Sequence, residues 1–317
     1  MSTLRESVAD YLLMRQTMGF KAEGLGKLLR SFVAFSEARG VDRVRNDIAL
    51  EWATSTVKVP VNDALQARRM DAVRIFARHQ HALDPATQIP AEGICNRRYH
   101  PREPNVFSLA QVVALLEATD TLSPQFKALT WRNIIGLLAA TGMRPGEACR
   151  LSVNDVDLSS GTVQVLETKF GKSRLVFIHP TTAEVLRHYV QVRRAWVGTG
   201  VSACPMLFLN ARRGPLDPDR LGRTFTQVAD AAGITTAPRC RPPRLHDLRH
   251  TFAVTTLIEW YRDGQDVQAR LPLLSTWLGH VDPASTYWYL HAVPELLSYA
   301  ASRLEAHQSP PAAEPAS

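Results

Sequence analysis

Between Asp84 and Pro104 the chain carries Pro85, Pro90, Pro101, Pro104 and Gly93, and neither helical nor strand periodicity runs through them. Proline lacks a backbone N–H and restricts the residue before it, so a stretch this rich in proline interrupts regular structure and splits the sequence in two. The 317 residues suffice, at roughly 150 per domain, for two units that each bury a core without disulfides. The expected organisation is a helical unit over residues 1–84, a linker over 85–104 and a second unit over 105–307. Arg97, Arg98, His100 and Arg102 make the linker basic. Residues 308–317, rich in Pro and Ala, are expected to be disordered.

The two units differ in texture. In the first, Val8, Tyr11, Leu12 and Arg15 recur at helical spacing. Leu25, Leu28, Leu29, Phe32, Val33 and Phe35 form a second apolar face, with Lys21, Lys27 and Arg30 around its start and Gly40 as its stop. Residues 48–53 and 64–81, separated by Pro60, complete a four-helix module. In the second unit Ser108 caps a helix to Ala118, and a long apolar helix over 126–140 stops at Thr141 and Gly142. Residues 162–166 and 174–178 then read as β-strands joined by a turn that holds Lys169, Gly171 and Lys172. Helices resume at 182–195, 218–232, 246–261, 273–279 and 294–307. The fold class is therefore mainly α with a small antiparallel β-sheet, a helical unit followed by an α+β unit.

Composition narrows the function. Apolar residues at 45% and charged residues at 21% are ordinary for a folded globular chain. Lys and Arg exceed Asp and Glu by 37 to 30, a net charge of +7 that suits a nucleic-acid partner without requiring one. Cys95, Cys149, Cys204 and Cys240 are widely spaced and form no C-x-x-C pair, so neither a structural zinc nor a disulfide framework is expected. No apolar run approaches the ~20 residues of a spanning helix and no signal peptide is visible, which places the protein in the cytoplasm. There is no Gly-Lys-Ser/Thr phosphate loop and no carboxylate cluster of a two-metal nuclease, so no cofactor and no metal are expected.

The residues that could carry chemistry are ordinary when taken singly. His246, Arg249 and His250 stand at i, i+3 and i+4 and share one helix face. Arg239, Arg241, Arg244 and Arg249 fall within a dozen residues that hold one acid, Asp247. Arg144 begins a helix just after Gly142, with Glu147 one turn on, and His280 follows Leu278 and Gly279 at a helix end. Together, the run Ala140-Thr141-Gly142-Met143-Arg144-Pro145-Gly146-Glu147, a hairpin lysine, His246-x-x-Arg249-His250, Leu278-Gly279-His280 and Tyr289 resemble, in content and order, the tyrosine recombinases or phage integrase family. The motif resemblance spans about residues 105–305. The helical front module is similar to that family's SAM-like core-binding domain.

The resemblance implies a site-specific recombinase that cuts and rejoins DNA through a 3′-phosphotyrosyl intermediate and a Holliday junction, as mobile elements and phages do. It implies that Arg144 and Arg249 clamp the scissile phosphate, that Tyr289 is the nucleophile, and that Lys169 protonates the departing 5′-oxygen. His246 contacts the phosphate and helps to move the tyrosine proton, His280 supports the transition state, Glu147 orients Arg144 and His250 buttresses the helix. Such chemistry suits these side chains. A planar guanidinium donates paired hydrogen bonds to non-bridging oxygens, and a phenol is easier to deprotonate than an alkyl hydroxyl. Lys172, three residues along the same turn, competes with Lys169 for the acid role. Tyr287 competes with Tyr289, but on one helix the two point about 200° apart, and the Thr286-x-x-Tyr289-x-His291 context selects Tyr289.

Lys21, Lys27, Arg30, Arg97, Arg98, Arg102, Lys172, Arg241 and Arg244 are the expected DNA-contacting cations. The implied partners are duplex DNA with inverted-repeat sites, accessory recombination proteins and three further copies of the chain in a tetramer formed on DNA from free monomers; no membrane is involved. The helix over 294–307, with Leu296, Leu297, Tyr299, Ala300 and Leu304 as its stripe, docks either on its own core or, as the resemblance implies, in a neighbouring protomer. No arm-binding domain is expected ahead of the first module, as in a simple recombinase. The alternatives are a type IB topoisomerase-like strand transferase and a catalytically inactive DNA-binding accessory protein.

Overall fold

The computed structural model describes residues 3–20, 22–55, 63–95, 105–166, 173–198, 204–236, 241–280, 282, 284–292 and 296. The chain divides into two compact units, Met1–Pro101 and Arg102–Ser317, and is mainly helical with one small antiparallel sheet.

The first unit contains α1 (Leu4–Thr17), α2 (Glu23–Glu37), α3 (Asn46–Thr54) and α4 (Asp63–Leu83). Thr3 and Glu6 close a reciprocal capping box at the start of α1. Leu29, Phe32 and Val33 of α2 meet Trp52 of α3 and Met70 and Phe76 of α4 in the core. Lys27 and Arg30 stay on the exposed face of α2. Within the expected linker, residues 84–92 are irregular and pack on the first unit. Thr87 is buried, Gln88 N donates to Val44 O at 3.0 Å, and Arg74 donates from Nε to Pro90 O at 2.9 Å and from Nη2 to Ala91 O at 2.8 Å. Prolines abolish periodicity, but a buried arginine that satisfies their carbonyls attaches the segment to α4 all the same.

The second unit opens with α5 (Leu109–Ala118), capped by Ser108 as its sequence suggests, and α6 (Gln125–Thr141). A short α7 (Pro145–Arg150) leads to the antiparallel strands β1 (Val156–Asp157), β2 (Thr162–Val165) and β3 (Arg174–Phe177), in the order β1-β2-β3. Val163 faces Val176 across the β2/β3 ladder, both fully buried, which fixes the register and leaves Val165 opposite Arg174. β1 is absent from the sequence reading, since two residues cannot display an alternation. The helices α8 (Pro180–Val197), α9 (Leu221–Ala231), α10 (Asp247–Arg262), α11 (Val267–Leu278) and α12 (Ala284–Ala292) follow.

Leu115, Ile135, Leu138, Phe208, Phe225 and Leu248 centre the main core, with α6 running through it. A second cluster joins Val254 and Leu257 of α10, Leu271 and Leu274 of α11, and Tyr289 of α12. Three expected boundaries move. Helix α11 begins at Val267, six residues before its reading from sequence, because Asp266 caps it and Pro272 sits inside it. Pro218–Arg220 is a 3₁₀ turn ahead of α9. His246 is the residue before α10 and not its first turn. The helix expected at 294–307 lies outside the described residues except for Leu296, which is buried.

Candidate active site

The site is built where two helices stop. Helices α6 and α11 end in Gly142 and Gly279, both left-handed, at φ 64° and 68°. Gly142 is required twice over, because a Cβ there would also lie 2.5 Å from Phe252 Cδ1. A helix end leaves carbonyls without intrahelical donors and carries partial negative charge, and guanidiniums fill that role here. Arg249, fully buried on α10, donates from Nη1 to Gly142 O at 2.9 Å and from Nη2 to Leu278 O at 2.8 Å. Arg144, turned out by Gly142 to become the N-cap of α7, donates from Nη2 to Gly279 O at 3.0 Å. The two arginines are thus pinned to neighbouring main-chain atoms of one turn. A guanidinium has five N–H donors, so forks held in this way still have donors to offer an anion.

Glu147 is the hub of the cation cluster. Its carboxylate accepts from Arg144 N at 2.9 Å, Arg144 Nη1 at 2.8 Å and Arg174 Nη2 at 2.7 Å. Burial alone would raise its pKa, but hydrogen bonds and charge from Arg174 and Arg144 outweigh burial and hold it at about 2. Arg174, the first residue of β3, also donates from Nε to Trp277 O at 2.8 Å. Sequence reasoning missed it, because a strand residue paired with a helix residue across the fold has no local signature. Two guanidiniums contact this one carboxylate and that of Arg249 lies close enough to feel its charge, so the cluster carries an excess of positive charge suited to a phosphodiester. Burial, with Arg144 close by, pushes Arg249 down to about 10, still fully charged at neutral pH.

The imidazoles and the phenol complete the group. Tyr289 is 2% exposed and Tyr287 42%, so α12 turns the expected tyrosine inward and its competitor outward. Tyr289 Oη lies 3.1 Å from His250 Nδ1. Burial pushes the phenol above its ordinary pKa, while Arg249 and Arg144 pull it the other way. His280 Nδ1 lies 2.7 Å from Thr286 Oγ1, and its ring stacks 6.4 Å from that of Tyr289. The His246 ring meets His250 edge-on at 5.0 Å. Burial lowers His246, His250 and His280 to about 4, so all three are uncharged at neutral pH.

Arg144, Glu147, His246, Arg249, His250, His280 and Tyr289 therefore fall in one connected group. The contact with the phenol belongs to His250, which the sequence reading treats as a buttress, and not to His246. Arg241 and Arg244 are exposed just ahead of α10, and Arg244 is engaged with Asp247, its N donating to Oδ2 at 2.8 Å. Lys169, Lys172, Lys21, Arg97, Arg98 and Arg102 lie outside the described residues. Among the described residues no cluster of His, Cys, Asp and Glu could hold a metal ion, and no helix is long and apolar enough to cross a membrane.

A sequence model of the phage integrase family matches residues 105–295. The chain belongs to that family, the tyrosine recombinases. It is 38% identical over 310 residues, 96% of this chain and 98% of the relative, to y4rB of Sinorhizobium fredii, which is described as an integrase/recombinase. It is 30% identical over 270 residues, 83% of this chain and 82% of the relative, to the tyrosine recombinase XerC of Pelobacter propionicus. Among solved structures, the Tn1549 transposon integrase in complex with transposon right end DNA superposes with a TM-score of 0.67 at 15% identity, covering 97% of this chain and 100% of that one. A lambda integrase dimer bound to a COC′ core site gives 0.60 at 17%, covering 89% and 96%. At such identities these two likenesses concern the fold.

Proposed function

We propose that the protein is a site-specific recombinase of a mobile element or phage that cuts and rejoins duplex DNA through Tyr289. The observation that carries this reading is the burial of the Tyr289 phenol against His250 and Arg249, with both arginines fixed on the turn after α11. The scissile phosphate takes hydrogen bonds from Arg144 and Arg249, which neutralise the charge that builds on its non-bridging oxygens. His246 and His280, uncharged, donate to the same group. Tyr289 Oη attacks phosphorus, the P–O5′ bond breaks, and Lys169 gives the 5′-oxygen its proton. The ester bond of the 3′-phosphotyrosyl link retains the energy, and a 5′-hydroxyl from a second duplex reverses the step to form a Holliday junction.

Four copies act on two inverted-repeat sites in the cytoplasm, with accessory proteins directing the outcome. Lys21, Lys27, Arg30, Arg97, Arg98, Arg102, Lys172, Arg241 and Arg244 hold the DNA backbone.

A duplex nicked beside the cleavage position tests the reading. The wild type traps a covalent protein–DNA adduct, whereas Tyr289→Phe binds the duplex and traps none; an adduct with the Phe variant refutes the nucleophile. Lys169→Ala slows cleavage of an ordinary substrate and recovers on one with sulfur at the 5′-bridging position, which needs no proton to depart. Absence of recovery assigns the acid elsewhere.

A further inference from the structure

We propose that His250 is a catalytic residue, the base that takes the proton from Tyr289 as the phenol attacks, and that Asp247 holds it in the required tautomer. The inference rests on Tyr289 being the nucleophile and adds where its proton goes. Nothing in the motif order requires it, since the proton role is there assigned to His246.

The geometry places an imidazole between a phenol at hydrogen-bond distance and a carboxylate at ion-pair distance. Tyr289 Oη lies 3.1 Å from His250 Nδ1. The other ring nitrogen, Nε2, faces Asp247 Oδ1 at 4.0 Å. Asp247 is itself buried and held by three donors: Asn105 Nδ2 donates to Oδ2 at 2.9 Å, Arg244 N to the same atom at 2.8 Å, and Arg244 Nη2 to Oδ1 at 3.2 Å. A carboxylate on the Nε2 side favours the tautomer with its proton there, which leaves the Nδ1 lone pair directed at the phenol. By contrast His246 meets His250 edge-on, with ring centroids 5.0 Å apart, and His280 Nδ1 is engaged with Thr286.

Among the described residues, the charged and titratable groups around His250 all bear on the transfer. From its own helix and the segment ahead of it come His246, Asp247, Arg249, Arg244 and Arg241; from α12 comes Tyr289; and His280 is close enough to feel its charge. Without DNA, burial dominates and the positive neighbours add to it, so His250 is uncharged and open to a proton. A phosphodiester seated on Arg249 and Arg144 brings a negative charge that offsets those neighbours and raises the basicity of His250 when it is needed. The step balances: the Tyr289 O–H bond breaks, the proton goes to Nδ1, the electron pair forms the O–P bond and the 5′-oxygen leaves. During rejoining Tyr289 is the leaving group and recovers the proton from His250.

His250→Gln distinguishes a base from a prop, since the amide can accept a hydrogen bond but not a proton at neutral pH. Adduct formation on the nicked duplex is expected to fall about 100-fold at pH 7. The loss should shrink about tenfold per pH unit between pH 7 and pH 9, while DNA affinity and Tm stay near those of the wild type. Incorporating 3-fluorotyrosine at position 289, a more acidic phenol, should restore much of the rate in the Gln variant and change the wild type little.

A Gln variant that cleaves at the wild-type rate, or one slowed equally at every pH with no recovery from fluorotyrosine, overturns the proposal. So does a His246→Gln variant that shows the pH-dependent recovery in its place. Tyr289→Phe is run alongside: an adduct with that variant removes the nucleophile itself, whereas failure confined to His250→Gln leaves the nucleophile standing. If the Gln variant does not fold, the pH dependence of wild-type protein carrying 3-fluorotyrosine decides, a shift that follows the phenol's acidity overturning the proposal.

Discussion

Replacing Glu147 by Gln separates the charge on the hub from its shape. In the folded protein its carboxyl sits at about 2 against an ordinary 4.5. At 1.36 kcal/mol per tenfold, that fall corresponds to about 3 kcal/mol of stability. The group is almost fully buried, so solvent screening takes little from this figure, and it agrees with the ~3–5 kcal/mol typical of removing one member of a buried ion pair. Because the folded pKa is depressed, the contribution is complete above pH 4.5 and lost as pH falls from 4.5 toward 2. Urea unfolding followed by tryptophan fluorescence should therefore give a Gln variant weaker by about 3 kcal/mol, and the gap should be constant from pH 7 to pH 5. Catalysis should suffer as well, since one neutral amide oxygen replaces the two charged oxygens shared by Arg144 and Arg174 and orients the Arg144 fork less firmly, and a displacement of about 1 Å is enough to cost 100-fold. A gap under about 1 kcal/mol at pH 7, or one that widens on acidification below pH 4.5, would refute the assignment of Glu147 as the charged hub.

Gly142→Ala places a Cβ 2.5 Å from Phe252 Cδ1 at a φ of 64°, and thermal unfolding should show a loss of about 2–4 kcal/mol from strain and overpacking together; a change below about 1 kcal/mol would mean that the turn relaxes freely. His246, His250 and His280, held at about 4, are neutral in the fold and protonate more readily when unfolded. DNA-free protein should thus lose stability as pH falls from 6.5 to 4, and His280→Gln should flatten that slope. Lys27 is exposed on α2, and if it faces a phosphate, Lys27→Ala should lower the log–log salt slope of DNA binding by about one without changing preference among sequences. An unchanged slope in a filter-binding titration removes it from the interface.

What the sequence discloses about this molecule is local chemistry, and what it hides is pairing at a distance. Arg144, His246, Arg249, His280 and Tyr289 are legible because each sits in a short string whose order identifies a family. Gly142 and Gly279 are legible as helix stops. Their second duty is not: their turns present Gly142 O, Leu278 O and Gly279 O to Arg249 and Arg144, which depends on how α6, α7, α10 and α11 meet. Arg174 and Asp247 are invisible for the same reason, since Arg174 reaches Glu147 from the sheet and Asn105 reaches Asp247 from ahead of α5. The segment after α4 is legible only in part: its prolines end the periodicity, whereas the bonds from Arg74 to Pro90 O and Ala91 O and from Gln88 to Val44, which attach it to the first unit, leave no local trace.

One physical device accounts for the site's architecture. Helix C-termini are poor places for a phosphate, because their carbonyls repel it. By filling two such termini with Arg249 and Arg144, the fold converts them into anion sites whose guanidiniums are oriented before substrate arrives. That preorganisation also ties the arginines to α12, because Leu278 and Gly279, which hold the two forks, precede Ala284, the first residue of the helix that carries Tyr289, by only a few positions in the chain. A shift in that turn must therefore move clamp and nucleophile together. Substitutions that loosen α11, such as a small residue for buried Leu274, should then depress both phosphate affinity and adduct formation, in contrast to Tyr289→Phe, which removes only the second.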